Sequence, residues 1–293
     1  MIEFFANIFG YLLNLLYELL KNYGLAIILF SVILKIILLP ISIKQQKTLK
    51  KSAKIQEEMK LIQDKYKGNQ EKINQETMDL YKRENMSPFS GCLSAIVQII
   101  LLFAMFYLVR SPLTHMKKVE PELIEKYINE IKTELPENEK NMAYPEISVV
   151  KEAATKLNET NLEETKKGDY EKLYINMEFL GLDLSNVPTQ DMSNPTVFII
   201  PILYVISSFI SIRMTSNMNQ EKNKENKDTS ELDAVANANK TMMWFMPIMS
   251  ISIALIAPLG LALYWLVNNI LMIGERLLLN RFLDAKGEKE NAK

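Results

Sequence analysis

The stretch Tyr23–Lys44, YGLAIILFSVILKIILLPISIK, decides how the rest of the chain is read. It is apolar almost throughout, and a bilayer core of about 30 Å takes roughly 20 helical residues to cross. One charge, Lys35, lies well inside it. At 1.5 Å of rise per residue, Lys35 stands about 13 Å from Lys44, close to mid-depth. An ammonium there costs about 3 kcal/mol even on the mild insertion scales. What makes that charge tolerable must be sought elsewhere in the chain.

Working outward, the windows 23–43, 89–109, 196–212, 242–257 and 259–274 hold a single charged residue between them, again Lys35. The remainder is dense in Lys, Glu, Asp and Asn, so the net charge of −1 averages over a strong segregation. Apolar segments of this length bounded by charge predict an all-α integral membrane protein with five transmembrane helices. One cysteine, Cys92, and one histidine, His115, exclude a disulfide framework and most metal sites. Cys92 falls in a predicted span, where it reads as a small packing residue. The near-neutral charge gives no support for nucleic-acid binding. No phosphate loop, HExxH or nucleophile elbow is present, so no enzyme and no cofactor are expected.

Residues 1–22 do not read as a signal peptide, because Glu3 stands where a basic region belongs and no small-residue cleavage site follows. Glu3, Asn7, Gly10, Asn14, Glu18 and Lys21 recur at steps of three or four, opposite Phe5, Ile8, Phe9, Leu12, Leu16 and Leu19. That pattern predicts an amphipathic helix lying on the membrane, with a short extra span as the alternative. The first span, 23–43, is expected to end near Leu39–Pro40. Residues 44–86 predict a helical hairpin with arms of about 35 to 40 Å, striped by Ile55, Met59, Ile62 and Tyr66 and by Ile73, Thr77 and Leu80. Gly68–Asn69 marks its turn. Residues 44–85 carry 11 basic and seven acidic side chains, which places the hairpin in the cytoplasm.

The second span covers 87–110. An outer region, 111–195, follows with ten lysines against 17 acidic residues. Helices are expected there over 119–134 and 146–167, then an apolar patch around Tyr174–Leu184 closing in a turn at 181–185. Span 196–213, a cytoplasmic loop 214–240, spans 241–257 and 258–280 reversing at Pro258–Gly260, and a cytoplasmic tail 281–293 complete the order. The N-terminus is then outside and the C-terminus cytoplasmic, and both large loops fall on the side their charge favours.

Each span also carries one polar face. Ser31 precedes Lys35 by one turn; Ser90, Ser94 and Gln98 are four apart; Tyr204, Ser208 and Ser211 share a face; Trp265, Asn268 and Asn269 line the last span. Serine and asparagine commonly do no more than hold membrane helices together. Lys35 is different, because the five windows contain no acidic residue to pair with it. An unpaired ammonium implies water, hence an aqueous recess among the spans. Such a recess suits anion transport, a gated channel, or the reception of polar stretches of a passing polypeptide. The residues alone do not choose among these.

Several motifs do favour one. GLAIILFSVILKIILLPISIKQQK at 24–47, GCLSAIVQ at 91–98, FLGLDLS at 179–185, MMWFMPIM at 242–249 and PLGLALYWLVNN at 258–269 occur in this order and spacing. With them the chain resembles the YidC family of membrane protein insertases, in the form found in bacteria with a single membrane. The resemblance covers nearly all of 23–280. It implies a monomeric, ATP-independent insertase of the bacterial cell membrane, with a hydrophilic groove open to cytoplasm and lipid and closed on the outer side. It implies nascent membrane proteins as clients, membrane lipids as surroundings, and the ribosome or targeting machinery and the Sec translocon as further partners. The groove residues it implies are Lys35, Ser31, Gln98, Ser94, Tyr204, Ser208, Trp265 and Asn268. Lys35 occupies the place of the family's groove arginine, keeping the charge but losing the five-donor fork. Ser94 replaces a frequent proline, the 111–195 region is long for this branch, and the N-terminal lipid-attachment cysteine is missing. A small-anion channel or transporter using Lys35 is the alternative from another class.

Overall fold

The computed structural model describes residues 2–85, 90–137, 139–159, 163–220, 249 and 251–291. The loop 214–240 beyond residue 220, and nearly all of span 241–257 before residue 251, therefore lie outside the described residues. The protein is mostly helical, with helices α1 Ile2–Leu20, α2 Tyr23–Lys65, α3 Gln70–Arg83, α4 Ser90–Arg110, α5 Pro121–Glu134, α6 Pro145–Lys156, α7 Glu164–Leu173, α8 Ile199–Gln220 and α9 Leu259–Asn291. A π-helical turn covers Leu113–Lys117 and a 3-10 turn covers Pro195–Phe198. Among the described residues three helices are long and apolar enough to cross a membrane: Tyr23–Thr48, Pro195–Met214 and Leu259–Leu279. Ile99–Arg110 is a shorter apolar helix. The chain divides into two compact units, one of residues Met1–Leu34 with Leu102–Gly274, the other of Lys35–Leu101 with Glu275–Lys293.

In the second unit, α2 does not stop at Leu39–Pro40 as expected; Pro40 lies inside it. Proline removes one backbone bond, and membrane helices tolerate that loss. After Lys65 the chain turns through Gly68, whose φ of +89° suits a residue without Cβ. Asn69 caps α3 by accepting from the Lys72 N–H at 3.1 Å. Ile55, Ile73 and Leu80 are buried. The ion pair Arg83–Glu58 and the Tyr66–Glu76 hydrogen bond of 3.2 Å show that the arms run antiparallel. The second arm has 14 residues, about 21 Å, shorter than the periodicity suggested.

In the first unit, the middle of the α1 polar stripe faces inward at Gly10, with Asn7 and Asn14 half-buried, while its ends, Glu3, Glu18 and Lys21, stay exposed. Ala6, Gly10, Leu13, Leu16 and Tyr17 are buried, whereas Phe4, Ile8, Tyr11, Leu15 and Leu19 are exposed. The reason is close packing: a Cβ on Gly10 would sit 1.9 Å from the His115 carbonyl oxygen. Asn7 adds polar contacts, its Oδ1 lying 3.1 Å from His115 Nδ1 and accepting from Lys118. Burial, reinforced by the Lys118 charge, pushes the His115 pKa down, which keeps the imidazole neutral.

The 111–195 region folds as a helical cap. Ile124, Tyr127, Ile147, Val150, Ala153, Tyr170 and Leu173 form its core. The Tyr127 and Tyr170 rings lie 4.9 Å apart, and Asp169 accepts from Lys126 and from the Tyr127 hydroxyl at 3.0 and 3.2 Å. The single helix expected over 146–167 is two, α6 and α7. The stretch 181–185, expected as a turn, holds the end of a two-stranded hairpin of Glu178–Phe179 and Leu182–Asp183 and a second turn at Leu184–Ser185, closed by the Asn186 N–H bond to the Asp183 carbonyl. Leu180 and Gly181 both have positive φ, as a two-residue hairpin turn requires. Backbone bonds tie this cap to the ends of the apolar helices: Tyr23 N–H to Asn176, Leu259 N–H to Asn186, Gly260 N–H to Leu184 and Thr189 N–H to Leu255. Gly24 packs against Phe179, and Gly260 against Tyr23.

One buried carboxylate holds the cap to the end of α4. Glu146, at the start of α6, accepts from the Leu113 and Thr114 N–H groups at 2.8 and 3.0 Å and from the Thr114 hydroxyl at 2.6 Å. Those are unpaired donors of the π-helical turn. Burial pushes the Glu146 pKa up, and the bonds from Thr114, Leu113 and Ser111 pull the other way without cancelling it. A raised folded pKa means the folded state binds the proton more tightly. The contribution of Glu146 is therefore fully present below its unfolded pKa and is lost as pH rises through its folded pKa. Thermal unfolding in detergent across pH should show this slope, and Glu146→Gln should flatten it. Glu146→Ala should cost about 1–3 kcal/mol at every pH, because it leaves buried N–H groups unpaired.

Candidate intramembrane charge pair and α8–α9 seam

Lys35 stands near the centre of the candidate span Tyr23–Thr48, on a stretch of α2 whose neighbours are Leu, Ile and Phe. It is not alone. Its Nζ lies 2.6 Å from Oε2 of Glu275, which falls within the candidate span Leu259–Leu279. The two side chains are 23% and 10% exposed. This corrects the expectation of an unpaired cation that only water could accommodate. The apolar window 259–274 ends one residue short of Glu275, although the expected span 258–280 includes it. Helix α9 continues unbroken to Asn291, so Glu275 stays on the helix. Helical side chains tilt toward the N-terminus, which carries its carboxylate back toward the apolar segment, and the lysine stem supplies reach.

The pair is half satisfied. Among the described residues, Oε1 of Glu275 is buried with no hydrogen-bond partner. A carboxylate accepts up to four hydrogen bonds, so this ion has left water for little more than a single charge-assisted contact. Coulomb attraction in such surroundings roughly offsets desolvation rather than exceeding it. The arrangement is weak as a stabilising device, which points to a role other than stability.

The other expected groove residues that the structure describes lie in the first unit, and their contacts are these. Ser31 is buried and its hydroxyl donates to the Ile27 carbonyl at 2.8 Å, within its own helix. Tyr204 and Ser208 belong to the first unit, on α8, where they face Trp265 and Asn269 of α9. The Tyr204 and Trp265 rings lie 5.7 Å apart. Asn269 Nδ2 donates to the Ser208 hydroxyl at 2.7 Å and reaches that of Ser207 at 3.3 Å. These contacts join two membrane helices, each worth about 0.6–2 kcal/mol. Asn268 instead bonds Tyr264 one turn back. The side chains of Ser94 and Gln98 lie outside the described residues. Among the described residues no group of three or more His, Cys, Asp or Glu side chains is placed to hold a metal ion.

Two residues that matter were not among the expected eight. Asn269, not Asn268, supplies the interhelical bond; both sit on the same polar run, and only packing separates them. Glu275 was visible as the first acidic residue after the last apolar segment. Its signal was the absence of proline between Leu259 and Glu275.

Comparison with known proteins agrees with this architecture. The family model described as "60Kd inner membrane protein" matches residues 15–286. A protein of Fusobacterium nucleatum subsp. nucleatum named "Membrane protein insertase YidC" is 39% identical over 102 residues, 35% of this chain and 50% of that protein. One of the same name from Syntrophobacter fumaroxidans is 26% identical over 278 residues, 95% of this chain and 38% of that protein. A third, from Chlorobium phaeovibrioides, is 44% identical over 92 residues, 31% of this chain and 16% of that protein. The aligned regions thus span half or less of the length of these relatives. With a family match extending over nearly its whole length and apolar helices long enough to cross a bilayer, the chain belongs to the 60Kd inner membrane protein family, that of YidC and Oxa1.

Proposed function

We propose that this chain is a membrane protein insertase that moves apolar segments of nascent proteins from the cytoplasm into the bilayer without ATP hydrolysis. The observation that carries this reading is the family match over residues 15–286, and the Lys35–Glu275 pair inside two apolar spans agrees with it. In this reading five spans, 23–43, 87–110, 196–213, 241–257 and 258–280, enclose a hydrated groove in the bacterial cell membrane. The N-terminus is outside and the C-terminus cytoplasmic. Helix α1 lies on the outer surface with Phe4, Ile8, Tyr11, Leu15 and Leu19 toward lipid, in keeping with their exposure. The cap of 111–195 closes the outer side, in keeping with its bonds to the helix ends.

A nascent chain docks on the basic hairpin 44–86, delivered by the ribosome or targeting machinery and in some cases beside the Sec translocon. Its short polar tail enters the groove near Lys35, Ser94 and Gln98, and its apolar segment passes sideways into lipid. Hydrophobic transfer drives the second step. The hydrated groove lowers the barrier of the first, since the tail never meets bare hydrocarbon. The protein works as a monomer. Against a small-anion channel stands the pair itself, because its cation is already neutralised by Glu275.

The test is insertion of a small single-span protein into liposomes containing only this chain, read by protease protection. Insertion well above that of empty liposomes is expected, without ATP. For a client with an acidic tail, Lys35→Ala should lower it by about fivefold, while Lys35→Arg keeps it. Insertion no better than in empty liposomes, or anion flux without insertion, overturns the reading.

A further inference from the structure

We infer that Glu275 is a resident competitor for Lys35, and that it sets how strongly acidic client tails are favoured: such a tail gains from Lys35 only by taking the place of Glu275. The inference rests on the insertase reading and deepens it. Two observations and one chemical equivalence support it. The Lys35 ammonium is already bonded to a carboxylate at 2.6 Å, so an incoming acidic side chain meets a neutral pair and not a free cation. What it would make with Lys35 is the same bond between the same groups, so the exchange is isoelectronic. Finally, Glu275 is incompletely satisfied: Lys35 bonds its Oε2 and the Arg276 charge acts on it from the next position, but its buried Oε1 has no hydrogen-bond partner among the described residues. A carboxylate left half unsatisfied away from water gains by release into a hydrated site, where both oxygens find donors.

The consequence is a damped preference for acidic tails. A client tail without an acidic residue leaves the pair closed and passes without engaging Lys35. One bearing aspartate or glutamate opens it, and the freed Glu275 is then hydrated.

The experiment uses the full chain in liposomes and two single-span clients that differ only in their tails, one with two aspartates and one with two asparagines. The quantity read is the ratio of acidic-tail to neutral-tail insertion. Glu275→Gln should raise that ratio by about fivefold, since the resident competitor is gone while Lys35 remains. Adding Lys35→Gln should return it to the wild-type value or below. A ratio unchanged in Glu275→Gln overturns the inference while leaving the insertase reading intact. Failure of the wild-type chain to insert either client defeats both.

A second measurement needs no variant. A membrane-permeant carbodiimide should join Lys35 to Glu275 in the wild-type protein, read by mass spectrometry. The acidic-tail client should suppress that link and form its own to Lys35; suppression that is equal for both clients, or absent, also overturns the inference.

Discussion

Lys35→Glu is expected to destroy the protein's function for every client, and Lys35→Glu with Glu275→Lys to restore most of it. The single change sets two carboxylates where the structure has a 2.6 Å ion pair with side chains 23% and 10% exposed. Two like charges at that separation cannot both ionise. The membrane-spanning helices that carry them must therefore separate or bind a proton. Removing one partner of a buried pair costs about 3–5 kcal/mol. The residual exposure of Lys35 reduces that to about 2–4 kcal/mol once solvent screening is allowed for. The exchanged pair restores opposite charge at the same place. Thermal unfolding in nanodiscs, run beside the liposome assay, checks both variants. A double variant no more stable than the single one would show that the contact does not matter.

The second large effect lies far from the charge pair. Gly10→Ala is expected to dislodge α1 from the π-helical turn, at about 3 kcal/mol. A Cβ there would meet the His115 carbonyl oxygen at 1.9 Å and its carbon at 2.6 Å. These are backbone atoms of a turn held by Glu146, so they cannot yield as a flexible side chain would. Release of α1 also frees the bonds from Asn7 to His115 and Lys118. The measurement is thermal unfolding together with trypsin cleavage after Lys117 and Lys118, which should quicken. Gly168→Ala is the contrast. Nothing lies within 4 Å of its added Cβ in α7, so the better helix former should raise stability by about 0.5–1 kcal/mol.

The two substitutions are indistinguishable in the sequence. Both remove a glycine from a helix, and only the close approach of a distant segment separates loss from gain. The same division applies to the site. Ser31, Ser208 and Asn268 were all legible as polar residues on helical faces. Ser31 bonds its own helix, Ser208 bonds Asn269, and Asn268 bonds Tyr264. Helical periodicity gives the face of one element, whereas a hydrogen-bond partner depends on the rotation and offset of two. The polar stripe of α1 makes the point again. Its spacing was evident, but periodicity alone does not say that its ends, Glu3 and Lys21, stay exposed while Gly10 in its middle packs against His115.

By itself the sequence determined that this is a helical membrane protein, with apolar segments at 23–43, 196–213 and 258–280, a basic helical hairpin after the first and an acidic region after 110. Those properties follow from local composition and period, because crossing hydrocarbon requires a continuous apolar run and a helix bonds only to itself. Tertiary structure alone decided that α2 and α9 continue past their apolar segments, that 111–195 is a helical cap tied to the helix ends, and that Lys35 has a partner. Lys35 and Glu275 are 240 residues apart. Nothing local links two such charges; only the packing of the helices that carry them makes one ion the answer to the other.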